Sequence, residues 1–228
     1  MKKRYYLLLF VVFTLTFTLP LWAKKAVKSK LDPVKLKKSL PVKEIDAGVL
    51  FTYKDANAEK VALTGDFNNW DAGKQMMTKN EHGVWYMVIP LKKGKIEYKF
   101  VVNGANWIKD PDNKLSVPDP YGGENSVFTV KKEYDLGGAK LQSDGQVQFK
   151  YFAPQAGSVN LAGSFNNWSM DSDPMEKDNT GFWVLKKKLE SGSYQYKYVV
   201  DGNWTPDPMN SNTTDDGFGG VNSVIEVK

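Results

Sequence analysis

The sequence predicts an all-β protein: two β-sandwich domains in tandem, behind an N-terminal signal segment and a basic linker. Two observations carry this expectation. The second half of the chain repeats the first at an offset of 98 residues, which drops to 97 after a one-residue deletion in a turn. Each copy is written in short β-branched or aromatic runs separated by turn residues, with no helical stretch. A repeat of this length is a whole domain, not a solenoid unit.

The elements follow in chain order. Lys2, Lys3 and Arg4 precede an uncharged run from Tyr5 to Leu21, and Leu21-Trp22-Ala23 follows. A basic start, an apolar run and a small residue at its end read as an export signal over residues 1–23. Leu21 is larger than the residue usual before a cleavage site, and the run is near the lower length limit for a spanning helix, so an uncleaved anchor is the alternative. In either case the body is expected outside the cytoplasm, periplasmic or secreted. Residues 24–47 are Lys-rich, carry Pro33 and Pro41, and read as a flexible linker, with a basic arm touching anionic envelope polymers or headgroups as the sharper alternative.

The charge is unevenly placed. Residues 1–48 hold eleven basic and three acidic side chains, a net +8, so the remainder carries −3 of the overall +5. The body lacks the basic footprint of a nucleic-acid binder. Cysteine is absent, which excludes disulfides, thiolate metal sites and a cysteine nucleophile. His82 is the single histidine, in a turn with Thr180 at the matching place, and a multi-histidine metal site is excluded.

The first copy spans 48–131. Its strands are expected at 49–53, 61–64, 84–89, 96–102 and 127–130. Residues 132–145, with Gly137-Gly138 and Ser143-Asp144-Gly145, read as a linker, and 146–228 form the second copy. Short strands at this spacing, in about 85 residues per copy, suit an antiparallel immunoglobulin-like sandwich.

Gly65-Asp66-Phe67-Asn68-Asn69-Trp70 returns as Gly163-Ser164-Phe165-Asn166-Asn167-Trp168. Tyr98-Lys99-Phe100 returns as Tyr196-Lys197-Tyr198, and Trp107 after Asn103-Gly104-Ala105-Asn106 returns as Trp204 after Asp201-Gly202-Asn203. Gly122-Gly123-Glu124-Asn125-Ser126-Val127 returns as Gly219-Gly220-Val221-Asn222-Ser223-Val224. Two tryptophans, a lysine and an asparagine in each copy suit a neutral sugar. A flat ring covers the C–H face of a pyranose, while amide and ammonium groups direct hydrogen bonds to hydroxyls. Burying about 100 Å² of sugar face is worth about 2.5 kcal/mol per ring, and the polar contacts add specificity more than energy.

These ordered, doubled motifs resemble carbohydrate-binding module family 48, and most closely the glycogen-binding domain of the AMP-activated protein kinase β subunit. The resemblance covers about 48–131 and 146–228. It implies an early-set immunoglobulin-like fold and binding of α-1,4-glucan, whether glycogen, starch or maltodextrin. It implies stacking by Trp70, Trp107, Trp168 and Trp204, and contacts from Lys99, Lys197, Asn125 and Asn222. The family's loop leucine, which enters cyclic glucans, corresponds to Tyr121 and Phe218, and its threonine two residues on to Gly123 and Gly220. These departures set cyclic-glucan preference aside and leave an aromatic as a further stacking surface. The Ala105 insertion is a second departure and shifts Trp107 relative to its partner.

Each residue also has a plainer reading. On that reading Trp70 and Trp168 are sandwich core, Trp107 and Trp204 are residues beside a turn, the lysines are solvated strand residues, and Asn125 and Asn222 bond backbone at a turn. Trp85, Trp183, Tyr98, Phe100, Tyr196 and Tyr198 are read as core outright. Asp110, Asp207, Asp215 and Asp216 are turn residues without the ordered oxygen spacing of a calcium loop. The expected function is non-catalytic glucan binding with no cofactor, and the alternative is an envelope structural or protein-interaction role. A separate glycoside hydrolase or an envelope protein is a further class of partner. A hydrolytic barrel of about 250 residues has no room in this chain.

Overall fold

The structure, a computed structural model, describes residues 31–228. The expected signal segment at 1–23 and the linker up to residue 30 lie outside the described residues. The described chain is all-β, with no α-helix.

In the first half, β1 (Lys43–Ile45), β2 (Gly48–Lys54), β4 (Thr78–Lys79) and β5 (Val84–Ile89) form one antiparallel sheet in the order β1-β2-β5-β4. A second sheet takes β3 (Val61–Gly65), β6 (Gly94–Val102), β8 (Ser116–Pro118) and β9 (Glu124–Val130) in the order β3-β6-β9-β8, and β7 (Asn106–Ile108) pairs with the far end of β6. The second half matches strand for strand. β10 (Lys140–Leu141), β11 (Gln146–Phe152), β13 (Glu176–Lys177) and β14 (Phe182–Lys188) run in the order β10-β11-β14-β13. β12 (Val159–Gly163), β15 (Gly192–Val200), β17 (Thr213–Asp215) and β18 (Val221–Val227) run in the order β12-β15-β18-β17, with β16 (Asn203–Thr205) on β15.

The period of two decides which residues meet between the sheets. Along β6, Ile96, Tyr98 and Phe100 point inward and are buried, while Lys95, Glu97 and Lys99 between them are not. Val49 and Phe51 of β2, Val61 and Leu63 of β3 and Met87 of β5 close the same core. Phe51 meets Tyr98 edge-on at 4.9 Å, and Phe149 meets Tyr196 in the same way at 5.1 Å. Trp85 and Trp183 are buried, and their indole N–H groups donate to the carbonyls of Asp55 and Ala153 at 2.8 and 2.9 Å. They are structural, as their strand positions imply.

Both expected linkers require correction. The stretch before the first copy is tied down from Leu36 onward. Asn80 Nδ2 donates to the Leu36 carbonyl, and the Thr52 hydroxyl both accepts from the Leu40 N–H and donates to the Leu40 carbonyl. The reason lies in β2: Leu50 and Thr52 are buried although they alternate away from the core face. The outer side of this strand needs a cover, and a lysine-rich segment punctuated by Leu36 and Leu40 supplies one, while Val42 packs against the core itself. Between the copies, Tyr134 Oη donates to the Ile45 carbonyl, the Gly138 N–H donates to the Lys150 carbonyl, and Lys140–Leu141 is a strand of the second half.

Candidate functional site

Register alone gathers the repeated polar residues. Direct antiparallel partners share a face, so Trp107, opposite Val101, lies on the side of β6 that also carries Glu97 and Lys99. Val127 is opposite Glu97, which puts Asn125, two residues earlier, on that face as well. In the second half the pairs Val199 with Trp204 and Gln195 with Val224 bring Lys197, Trp204 and Asn222 together in the same way. The site is therefore the outer face of the β6 or β15 sheet, opposite the core.

Trp70 and Trp168 reach it by a turn. Gly65 runs into a 3-10 turn at Asp66–Asn68, and the Trp70 N–H donates back to the Gly65 carbonyl at 2.9 Å. A Cβ on Gly65 would collide with the Glu97 carbonyl oxygen, so close approach of backbone demands the glycine. Phe67 turns into the core, and Asn69 and Trp70 both adopt left-handed conformations, φ 57° and 60°. Asn167 and Trp168 repeat them at 53° and 58°. Such a conformation costs a non-glycine residue about 1–2 kcal/mol. The first asparagine of the motif holds the turn in place: Asn68 is buried, accepts from the Gly65 N–H at 3.0 Å and donates to the Leu63 and Asp71 carbonyls. Asn166 repeats the bonds to Gly163 and Leu161.

In the second half Trp168, Lys197, Trp204, Phe218 and Asn222, together with Gln195, Asp215 and Asp216, line one open cleft of about 590 Å³. The Trp168 and Trp204 rings stand 6.2 Å apart at 54°, forming a shallow V. Trp204 is 42% exposed and Phe218 96% exposed. In the first half Trp107 and Tyr121 are exposed to 48% and 96%, while Trp70 is half-buried. Among the described residues no ring pair joins Trp70 to Trp107, and Ala105 is the extra residue of that loop.

Asn125 and Asn222 are buried and bond side chains rather than turn backbone. Asn125 Nδ2 donates to Glu97 Oε2 at 3.1 Å, and Asn222 Nδ2 to Gln195 Oε1 at 2.9 Å. Lys99 and Lys197 are not solvated strand lysines. Lys99 Nζ donates to Asp119 Oδ2 and Lys197 Nζ to Asp216 Oδ2, with both lysine side chains only 11% exposed. The lysine bond, helped by two backbone N–H groups, holds each aspartate well below the usual carboxylate range, at about 2.

Asp110 and Asp207 serve as anchors behind the site. Each is buried. Tyr98 Oη donates to Asp110 at 2.6 Å and Tyr196 Oη to Asp207 at 2.7 Å. The Asp110 and Asp207 N–H groups donate to Ser126 and Ser223 hydroxyls, both at 2.8 Å, which ties the tryptophan loop to the strand that carries the asparagine. Burial pushes the Tyr98 and Asp110 groups up, the first also because of the neighbouring aspartate. The sequence marked Asp216 only as a turn residue and left Asp119 unremarked. The recurrence of an aspartate two residues before each exposed aromatic was the available signal.

A family model described as the glycogen recognition site of AMP-activated protein kinase matches residues 47–136 and 145–228. The chain belongs to this family. Among curated relatives of this glycogen-recognition family, the β-1 subunit of 5'-AMP-activated protein kinase from Sus scrofa is 44% identical over 70 residues, 31% of this chain and 54% of that one. The Homo sapiens subunit is 44% identical over 70 residues, 31% of this chain and 24% of its own. The 1,4-α-glucan branching enzyme GlgB of Marinobacter nauticus is 38% identical over 76 residues, 33% and 11% of the two chains. The match spans about half of the first relative and less of the others.

Proposed function

We propose that this chain binds α-1,4-glucan without acting on it, through two tandem immunoglobulin-like modules. The observation that carries the proposal is the second-half cleft, where two tilted tryptophans, an exposed phenylalanine, a lysine and an asparagine converge on one open face. The V of Trp168 and Trp204 suits the curved, helical path of an α-1,4 chain, which offers successive C–H faces at an angle. Lys197 and Asn222 lie beneath it to take hydroxyls. Trp70, Lys99, Trp107, Tyr121 and Asn125 supply the matching set in the first half, at residue positions related by the same register. The basic, then apolar, N-terminal segment supports export, so the glucan met is starch, maltodextrin or an envelope polysaccharide more readily than cytoplasmic glycogen.

Calorimetric titration of maltoheptaose into the full chain tests this. Loss of the tighter binding event in Trp168→Ala, with the first-half site remaining, supports it, since one stacking ring is worth more than about tenfold at its own site. Absence of heat with the folded wild type contradicts it.

A further inference from the structure

Glucan binding leaves the paired carboxylates unexplained. Asp119 and Asp216 each use both oxygens. Oδ2 accepts from the site lysine. Oδ1 accepts from the loop that carries the exposed ring: from the Tyr121 and Gly123 N–H groups at 2.7 and 2.9 Å, and from Phe218 and Gly220 at 2.8 and 2.9 Å. The second glycine of each loop makes room for this arrangement. A Cβ on Gly123 would come 2.7 Å from Asp119 Oδ2, and one on Gly220 would come 2.6 Å from Asp216 Oδ2. The aspartate, the lysine and the glycine are thus one built unit, present in both halves.

A lone ammonium beside stacking tryptophans is a good seat for a phosphate, sulfate or carboxylate on a sugar. The pairing removes that preference. A lysine that gives one N–H to a carboxylate keeps two donors for hydroxyls, while its net charge is cancelled at close range. The cations nearest the first site are themselves paired: Lys95 with Glu97 at 3.2 Å, and Lys109 with Glu124. Glu97 lies beneath the first site, and Asp215 lines the second.

We propose that Asp119 and Asp216 are specificity-determining positioning residues: each cancels the charge of its site lysine and ties that lysine to the loop aromatic, so that the sites take neutral glucan and reject anionic polysaccharide. The inference rests on the glucan-binding reading above.

The test uses the full chain in affinity electrophoresis at low salt, through gels containing amylose or carboxymethyl-amylose of matched length. Wild type is expected to be retarded by amylose more than by the carboxymethyl form. In Asp119→Asn/Asp216→Asn, which keeps an acceptor for the loop N–H groups, this preference falls at least about fivefold and recovers at high salt. Adding Lys99→Gln and Lys197→Gln abolishes the change, which a merely structural role would not do. Should the asparagine variants fail to fold, Lys99→Gln/Lys197→Gln alone leaves the carboxylates uncovered and raises the preference for amylose. Wild type retarded by amylose with a preference unchanged in these variants overturns the proposal and leaves glucan binding standing. Wild type not retarded by amylose at all removes both.

Discussion

Glu97 and Gln195 stand at matching places under the two sites, and each accepts from the site asparagine. The amide in the second half offers both a donor and an acceptor. The carboxylate in the first half accepts only, from Asn125 and from Lys95 at 3.2 Å, and covering this exposed pair with sugar removes charge from water. Glu97→Gln should therefore tighten maltoheptaose binding at the first site by about two- to fivefold, read by calorimetry in a Trp168→Ala background. Unchanged or weaker binding would contradict the assignment. Asp119 and Asp216 give a pH signature. Their folded-state values, about 2, lie below the unfolded range near 4, so their stabilisation is complete above about pH 4 and is lost as pH falls through 2. Thermal unfolding of Asp119→Asn/Asp216→Asn should show a shallower loss of stability than wild type between pH 4 and 2. The tryptophans and asparagines that share the outer sheet face were legible in the sequence as a recurring set, because aromatic and amide side chains at turns have little other reason to recur. The aspartates were not, because an aspartate in a Pro- or Gly-rich turn is ordinary, and only the fold reveals the lysine it faces.

Among the elements, the long strands were readable from alternation. β2, β3, β5, β6 and β9 fall where Val, Ile, Phe and Tyr runs put them, within a few residues at their ends. The short strands were not. β1, β4, β7 and β8 have two or three residues each, too few to show a period, and β1 lies in a segment whose lysines read as solvated linker. β1 extends the sheet beside Gly48–Leu50, led there by Leu36 and Leu40, which bond Asn80 and Thr52 on the outer side of the sheet. The strands are locked to the tryptophan loops by buried tyrosine–aspartate bonds. Tyr98→Phe leaves Asp110 with a lost donor in a buried place and should cost about 1–3 kcal/mol in urea unfolding. A cost near zero would mean that Asp110 finds water instead. Burial and the adjacent aspartates push Tyr98 and Tyr196 up. Because the folded-state values exceed the unfolded ones near 10, this stabilisation holds below pH 10 and is lost as pH rises above it.

At the scale of the whole molecule, the repeat is the feature that joins fold to function. If both halves bind as proposed, two sites on one chain raise avidity for a polymer by about 10²–10⁴ when both engage the same strand or particle, without any new contact. A short oligosaccharide reports one site at a time, whereas granular starch reports both. The two sites are unequal. The second has its tryptophans in ring contact and an amide beneath them, while the first carries Ala105 in its loop and Glu97 below. The second should carry more of the binding. The most direct measurement is retention of the full chain on insoluble starch with maltoheptaose as competitor, run beside Trp70→Ala, Trp168→Ala and the double variant. Competed retention that falls further for Trp168→Ala than for Trp70→Ala, and disappears in the double variant, is the expected result. Retention that ignores the competitor, or that survives loss of both tryptophans, would contradict glucan recognition on these two sheet faces.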